Sequence, residues 1–210
     1  ESRGLGDVYK RQVLTALGGY LLGSILFGVL ISKVMYNDDV RDHGSGNAGM
    51  TNVLRTYGKL PAVFTTIGDV GKSVAAVNLG RFIFDALLSG TGAAWQNPLD
   101  PVCGAYLAAI FCMIGHSRPI FFGFKGGKGI LSGGTLVWLL DWRVGLIAWG
   151  LFAALWLLTK YVSLGSVCAA TSMPVTTFFF CGRSLLYTAL AVLIAALVIW
   201  CHRENITRLL

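Results

Sequence analysis

The run from Val13 to Tyr36, VLTALGGYLLGSILFGVLISKVMY, decides the class of this chain. Its clearly polar side chains are Ser24, Ser32 and Lys33, and Lys33 stands near the end, where its ammonium can snorkel to an interface. A hydrocarbon core of about 30 Å is crossed by about twenty apolar residues in a helix, so this run is long enough to span. Working outward, further apolar stretches follow at Lys59 to Leu88, Pro101 to His116, Ile130 to Leu140, Arg143 to Thr159, Val167 to Phe180 and Ser184 to Trp200. The pattern predicts an all-α, polytopic membrane protein with about seven transmembrane helices. Its shorter runs suit tilted, broken or protein-surrounded helices.

Composition agrees. Of 210 residues, 55% are hydrophobic and 13% charged, where a soluble domain carries about a quarter charged residues. Mean hydropathy is +0.67, and a soluble enzyme is excluded. The formal charge of +7 has no polar basic domain behind it that could hold a duplex, so no nucleic-acid partner is expected. Cys103, Cys112, Cys168, Cys181 and Cys201 are scattered through apolar segments without C-x-x-C spacing and read as small buried hydrophobes. With three histidines and no H-E-x-x-H pattern, no metal site is expected. Residues 1–12 are polar, basic and unlike the rest of the chain; they read as a non-native segment, leaving 13–210 as a single integral-membrane domain.

Seven spans put the loops after spans one, three, five and seven on one side. That side holds Lys33, Arg41, Arg55, Lys59, Arg118, Lys125, Lys128, Lys160, Arg203 and Arg208, against Arg81, Arg143 and Arg183 on the other. By the positive-inside rule the first side is cytoplasmic, and every unusual polar segment then lies on it.

The first such segment, Gly44 to Arg55, interleaves glycines with Ser45, Asn47 and Asn52 and ends in an arginine. Glycine lets backbone N–H groups converge on an anion, and Arg55 offers a planar fork for phosphate. Composition alone also fits a turn-rich loop. The second, Gly123 to Gly129, carries Lys125 and Lys128 and feeds directly into span four, so amides and ammonium groups can cradle phosphate at a helix start. It is not a nucleotide P-loop, since Gly129 follows Lys128 and Phe122 stands where the first Gly belongs; the plain alternative is a basic loop on anionic lipid.

Asp69 and Lys72 share a helix face inside span two. Either they neutralise one another or they face a polar pathway. Ser163-Leu164-Gly165-Ser166 stands where span six begins and reads plainly as an N-cap, and His202-Arg203-Glu204-Asn205 with Arg208 reads as a basic helix end.

Taken together these segments resemble a family, the bacterial integral-membrane glycerol-3-phosphate acyltransferases that use acyl phosphate as donor (the PlsY family). The matching stretches are Gly23-Ser24-Ile25, Gly44 through Arg55, Asp69-x-x-Lys72, Gly115-His116 to Pro119 with Phe124 to Gly129, Ser163 to Ser166, and His202 to Leu210. They run in family order over nearly all of the chain after Gln12. The chain departs from the family at Leu26, commonly Pro, and at Met50, commonly Ala, and the family pattern continues past Leu210 with a Gly-x-Glu element.

The resemblance implies a seven-span fold in the bacterial inner (cytoplasmic) membrane with its site facing the cytoplasm. The implied reaction moves an acyl group from acyl phosphate to the 1-hydroxyl of glycerol 3-phosphate, giving lysophosphatidic acid and phosphate, the first step of phospholipid synthesis. The implied catalytic residues are Ser45, Arg55, Lys128, His202 and Asn205. Gly44, Asn47, Asn52, Gly126, Gly127, Gly129 and Ser166 are the substrate- and phosphate-binding positions. No cofactor is required, the partners are the two substrates and membrane lipid, and a monomer is the expected state. The competing reading is a transporter for an anionic solute, which also uses Gly-rich loops and intramembrane charge.

Overall fold

A computed structural model describes residues 2–89 and 100–209. The described residues form ten α-helices and no strands: α1 (Ser2–Gly23), α2 (Phe27–Tyr36), α3 (Met50–Tyr57), α4 (Lys59–Ser89), α5 (Pro101–Ser117), α6 (Ile130–Leu140), α7 (Trp142–Thr159), α8 (Val162–Phe180), α9 (Leu185–Cys201) and α10 (Arg203–Leu209). All seven expected spans are helical. By length and apolarity four stretches qualify as membrane spans, Val8–Tyr36, Pro101–Phe122, Trp142–Thr159 and Val162–Phe180, while Ile130–Leu140 and Leu185–Cys201 are shorter apolar helices. The loop expected over Ser89 to Asp100 lies mostly outside the described residues, as does the Arg208 side chain.

The first span is not continuous, contrary to expectation. The helix breaks between α1 and α2, where Leu26 is extended and Ser24 Oγ donates back to Tyr20 O at 2.8 Å. The break frees the Ile25 carbonyl, and Lys72 Nζ of α4 donates to it at 2.8 Å. Within an apolar bilayer a freed carbonyl needs such a partner. The helix also starts at Ser2 rather than Val13, with Arg11 buried on it.

Close approach of α1 and α5 rests on glycine. A Cβ on Gly23 would strike the Cys112 backbone, and one on Gly115 would strike the Tyr20 backbone, so small residues let these helices meet as they do in other membrane bundles. That contact sets Ser24 and His116 at neighbouring levels. The main core joins α4 through α9 around Val77, Tyr106, Met113, Leu136, Met173 and Ile194. Leu26, Val29, Val40, Ala48, Val53 and Ala62 make a second, smaller core beneath the first glycine loop.

Two more boundaries differ from expectation. Helix α3 sits inside what reads as loop, ended by Gly58 at φ +90°. Helix α8 starts at Val162, five residues before Val167, and its N-cap is Tyr161 without a side-chain cap bond. Ser163 and Ser166 are therefore inside the helix rather than capping it. Ser166 Oγ donates to Val162 O at 2.8 Å.

Candidate active site

The site begins with how the first glycine loop is held. Buried Asn52 on α3 accepts from Ser45 N at 2.9 Å through Oδ1, while its Nδ2 donates to Val40 O and His43 O, both at 2.9 Å. Its amide is engaged by the loop, so Asn52 shapes the segment that carries Ser45. Gly44 and Gly46 take φ of +57° and +67°, a region that favours glycine. Asn47 Oδ1 accepts from Gly49 N at 3.0 Å. The Ser45 side chain and Arg55 are exposed and make no hydrogen bond or ion pair among the described residues, leaving their polar atoms open to a ligand.

A polar frame surrounds this loop. Tyr57 Oη donates to Asp38 Oδ2 at 2.8 Å, and His43 Nε2 lies 2.7 Å from the same oxygen. These bonds hold the Asp38 carboxyl below its usual range, and burial with the nearby carboxylate pushes the Tyr57 phenol up to about 12.

Arg41 joins the two glycine loops. Its guanidinium pairs with Asp39 through Nε at 2.9 Å and Nη2 at 2.7 Å, and Nη1 donates to Phe122 O at 2.8 Å and Lys125 O at 2.9 Å. The sequence reading missed this residue; the sequence signal is the Asp39-x-Arg41 spacing beside a loop that needs an anchor.

The second loop folds over His116. Gly127 N donates to His116 O at 3.0 Å, and a Cβ on Gly126 or Gly127 would collide with His116 atoms. Asn47 Oδ1 lies 3.2 Å from where a Gly127 Cβ would be, so the two loops touch where Asn47 meets Gly127. Gly129, at φ +68°, is the N-cap of α6, which leaves the first amides of that helix directed toward the loop.

The loop's lysine ends a polar chain. Lys128 Nζ donates to Asn205 Oδ1 at 2.5 Å, and Asn205 Nδ2 donates to Ser163 Oγ at 2.9 Å, joining loop, α10 and α8. Ser163 was not among the expected site residues. His202, fully buried at the end of α9, has Nδ1 at 2.8 Å from Val198 O and a buried Nε2 without a hydrogen-bond partner among the described residues. A carbonyl only accepts, so Nδ1 carries the hydrogen and Nε2 keeps a lone pair. Burial lowers the His202 pKa, the bond to Val198 opposes this, and the Lys128 charge lowers it again.

An apolar groove runs beneath this cluster between α6, α7, α8 and α9. Gly129 and Ser166 line it at the polar end, and Trp149, Phe152, Met173 and Ile194 line it further along. Thus Gly126, Gly127, Lys128, Gly129, Ser166, His202 and Asn205 gather around the second loop. Gly44, Ser45, Asn47 and Arg55 belong to the first, tied to it through Arg41 and Asn47.

A helical bundle with several apolar spans, whose basic, glycine-lined end opens on an apolar groove, defines an integral-membrane protein with an anion-suited site beside an apolar one. The comparisons with known proteins narrow this. The profile of the family described as glycerol-3-phosphate acyltransferase matches residues 13–210. A glycerol-3-phosphate acyltransferase of Prochlorococcus marinus (strain MIT 9215) is 40% identical over 200 residues, 95% of this chain and 94% of the relative. That of Shouchella clausii is 41% identical over 202 residues, covering 94% and 92%. Among solved structures, the crystal structure of PlsY (YgiH), an integral membrane glycerol 3-phosphate acyltransferase, in its glycerol 3-phosphate form, superposes with a TM-score of 0.76 at 33% identity. It covers 94% of this chain and 91% of that one; the lysophosphatidic acid form gives 0.74 at 32%.

The chain belongs to the glycerol-3-phosphate acyltransferase family. Membership decides for an enzyme over the solute transporter.

Proposed function

We propose that this chain transfers the acyl group of acyl phosphate to the 1-hydroxyl of glycerol 3-phosphate, at the cytoplasmic face of a bacterial inner membrane, as a seven-span monomer without cofactor. The observation that carries the reading is the shared position of Gly129 and Ser166 on the apolar groove, with Lys128, the residue before Gly129, bonded to Asn205. A donor with a phosphate head and a fatty chain matches that arrangement: chain in the groove, head among the amides of α6 and the Lys128 ammonium.

In the reaction, the hydroxyl oxygen attacks the acyl carbonyl carbon and an ester C–O bond forms. The bond from that carbon to the phosphate oxygen breaks, and the electron pair leaves with phosphate. Lys128, Arg55 and the loop amides stabilise the charge that grows there. Ser45 and Asn205 bind and orient substrate oxygens, and Gly44, Asn47, Gly126 and Gly127 let backbone approach phosphate. His202, neutral with a free Nε2 lone pair, accepts from the attacking hydroxyl and orients it. The hydroxyl proton ends on a phosphate oxygen, since no carboxylate among the described residues pairs with His202 to make it a strong base.

The test is phosphate release by purified protein in lipid with palmitoyl phosphate, with and without glycerol 3-phosphate, while following lysophosphatidic acid. Acceptor-dependent release matched by product is expected. Release without acceptor dependence overturns the proposal. Cytoplasm-only labelling of single cysteines at positions 45, 125 and 205, with the native cysteines replaced, tests the sidedness.

A further inference from the structure

We propose that Arg118, Trp200 and Arg203 form a binding site for the phosphate head of an anionic phospholipid of the surrounding bilayer, separate from the acyl-transfer site. Trp200 lies in the last turn of α9, 43% exposed. Arg203 Cζ stands 4.5 Å from its ring centroid, and Arg118 Cζ, at the C-cap of α5, stands 5.2 Å from it. Two permanent cations therefore share one indole where two helices end.

Their counter-charge is thin. The carboxylate nearest Arg203 is Glu204 at 4.0 Å, with both side chains at least half exposed. No carboxylate lies within 4 Å of Arg118 among the described residues, and its guanidinium bond is to Phe124 O at 3.4 Å. Arg203 spends one donor on Trp200 O at 3.0 Å. Each guanidinium has five N–H groups, so most of the two forks remain free. Stacking on the indole holds the guanidinium planes in place, which suits bidentate capture of phosphate oxygens.

The occupant is an amphiphile because of what lies below the arginines. At about 100° per residue, Leu193 shares the Trp200 face of α9 and is 52% exposed. Ile194, Ala195 and Val198 line the acyl groove from another face. A basic station over an exposed apolar ridge, at the depth where tryptophan and arginine gather at bilayer interfaces, complements a phospholipid head and its chain.

The test uses the full chain in phosphatidylcholine bilayers and reads Trp200 emission, isolated as the difference between wild type and Trp200→Phe. Brominated phosphatidylglycerol should half-quench it at a mole fraction about fivefold lower than brominated phosphatidylcholine. Arg118→Gln with Arg203→Gln should bring the two lipids level. Glu204→Gln, which removes a competing carboxylate, should widen the difference. Equal quenching in the wild type, an undiminished difference in the double variant, or no widening in Glu204→Gln overturns the site. Loss of the preference on adding 10-fold excess inorganic phosphate would also overturn it, in favour of a soluble anion. None of these readouts requires turnover.

Discussion

Lys72 Nζ of α4 lies 2.8 Å from His116 Nδ1 of α5 and 2.7 Å from Asp69 Oδ1, with all three side chains buried. An ammonium only donates, so His116 Nδ1 accepts and its hydrogen is on Nε2, the atom beneath Gly127. The same ammonium holds the Ile25 carbonyl freed by the break in the first span. Intramembrane charge here ties three helices together and sets the floor of the second glycine loop.

Removing one partner of this pair leaves the other buried and uncompensated. Lys72→Met or Asp69→Asn alone should each cost about 3–5 kcal/mol, and the double substitution less than the two singles combined. Thermal unfolding in detergent reads this. Additive losses would show that the charges act independently.

The floor under the loop predicts contrasting glycine variants. Gly127→Ala drives a methyl into His116 Nε2 and should cut activity about tenfold or more. Gly71→Ala, in the exposed face of α4, meets nothing within 4 Å and should stabilise by about 0.5–1 kcal/mol. Steady-state rates beside melting curves separate the two; an active Gly127→Ala would mean the loop can lift off His116.

The all-helical membrane class, both glycine loops and the Asp69–Lys72 pairing were legible in the sequence, because hydrophobic length and local spacing are one-dimensional signals. The break at Ser24 to Leu26 was not, since it lies in an unbroken apolar run and its compensating partner is 47 residues away at Lys72. The bonds that Asn52 makes to Ser45 N, Val40 O and His43 O were not legible either, because they join residues 7 to 12 positions apart through a loop conformation that spacing does not give. Ser163 reads in the sequence as part of a helix cap. Only folding shows that Asn205 of α10 reaches it at 2.9 Å.

That contact makes Ser163 a positioning residue for Asn205. Ser163→Ala should remove one hydrogen bond, about 1 kcal/mol, and lower kcat/KM about fivefold. Asn205→Ala, which also releases Lys128, should cost more. Ser163→Thr should recover most of the rate; if Ser163→Ala is silent, Asn205 is held by other means.

His202 gives a pH signature. Its folded pKa lies below 6.5, so between that value and 6.5 the unfolded chain binds more protons than the folded one. Stability therefore rises with pH through that window and levels off above it, with a slope of up to about 1.4 kcal/mol per pH unit from this group. His202→Asn should flatten that part of the profile, measured by unfolding between pH 5 and 8. An unchanged slope would mean the imidazole is solvated and does not carry a free lone pair.

The clasp between the loops depends on geometry that only arginine has. Arg41→Lys keeps the charge but cannot serve Asp39, Phe122 O and Lys125 O together, and Arg41→Ala serves none. The loops are already joined at Asn47 and Gly127, so the expected loss is in alignment: kcat/KM for glycerol 3-phosphate about tenfold lower in Arg41→Ala and partly recovered in Arg41→Lys. The Arg41 guanidinium holds the Asp39 carboxyl below its usual range, and a carboxylate with a depressed folded pKa contributes stability that is lost only as pH falls through that pKa. The wild-type clasp should thus persist from neutral pH down to about 4, and loss of amide protection in the two loops, taken relative to the intrinsic exchange rate at each pH, should appear only in more acidic solution. If Arg41→Ala shows wild-type rates and wild-type exchange at pH 7, the two loops are aligned by the contact of Asn47 with Gly127 alone.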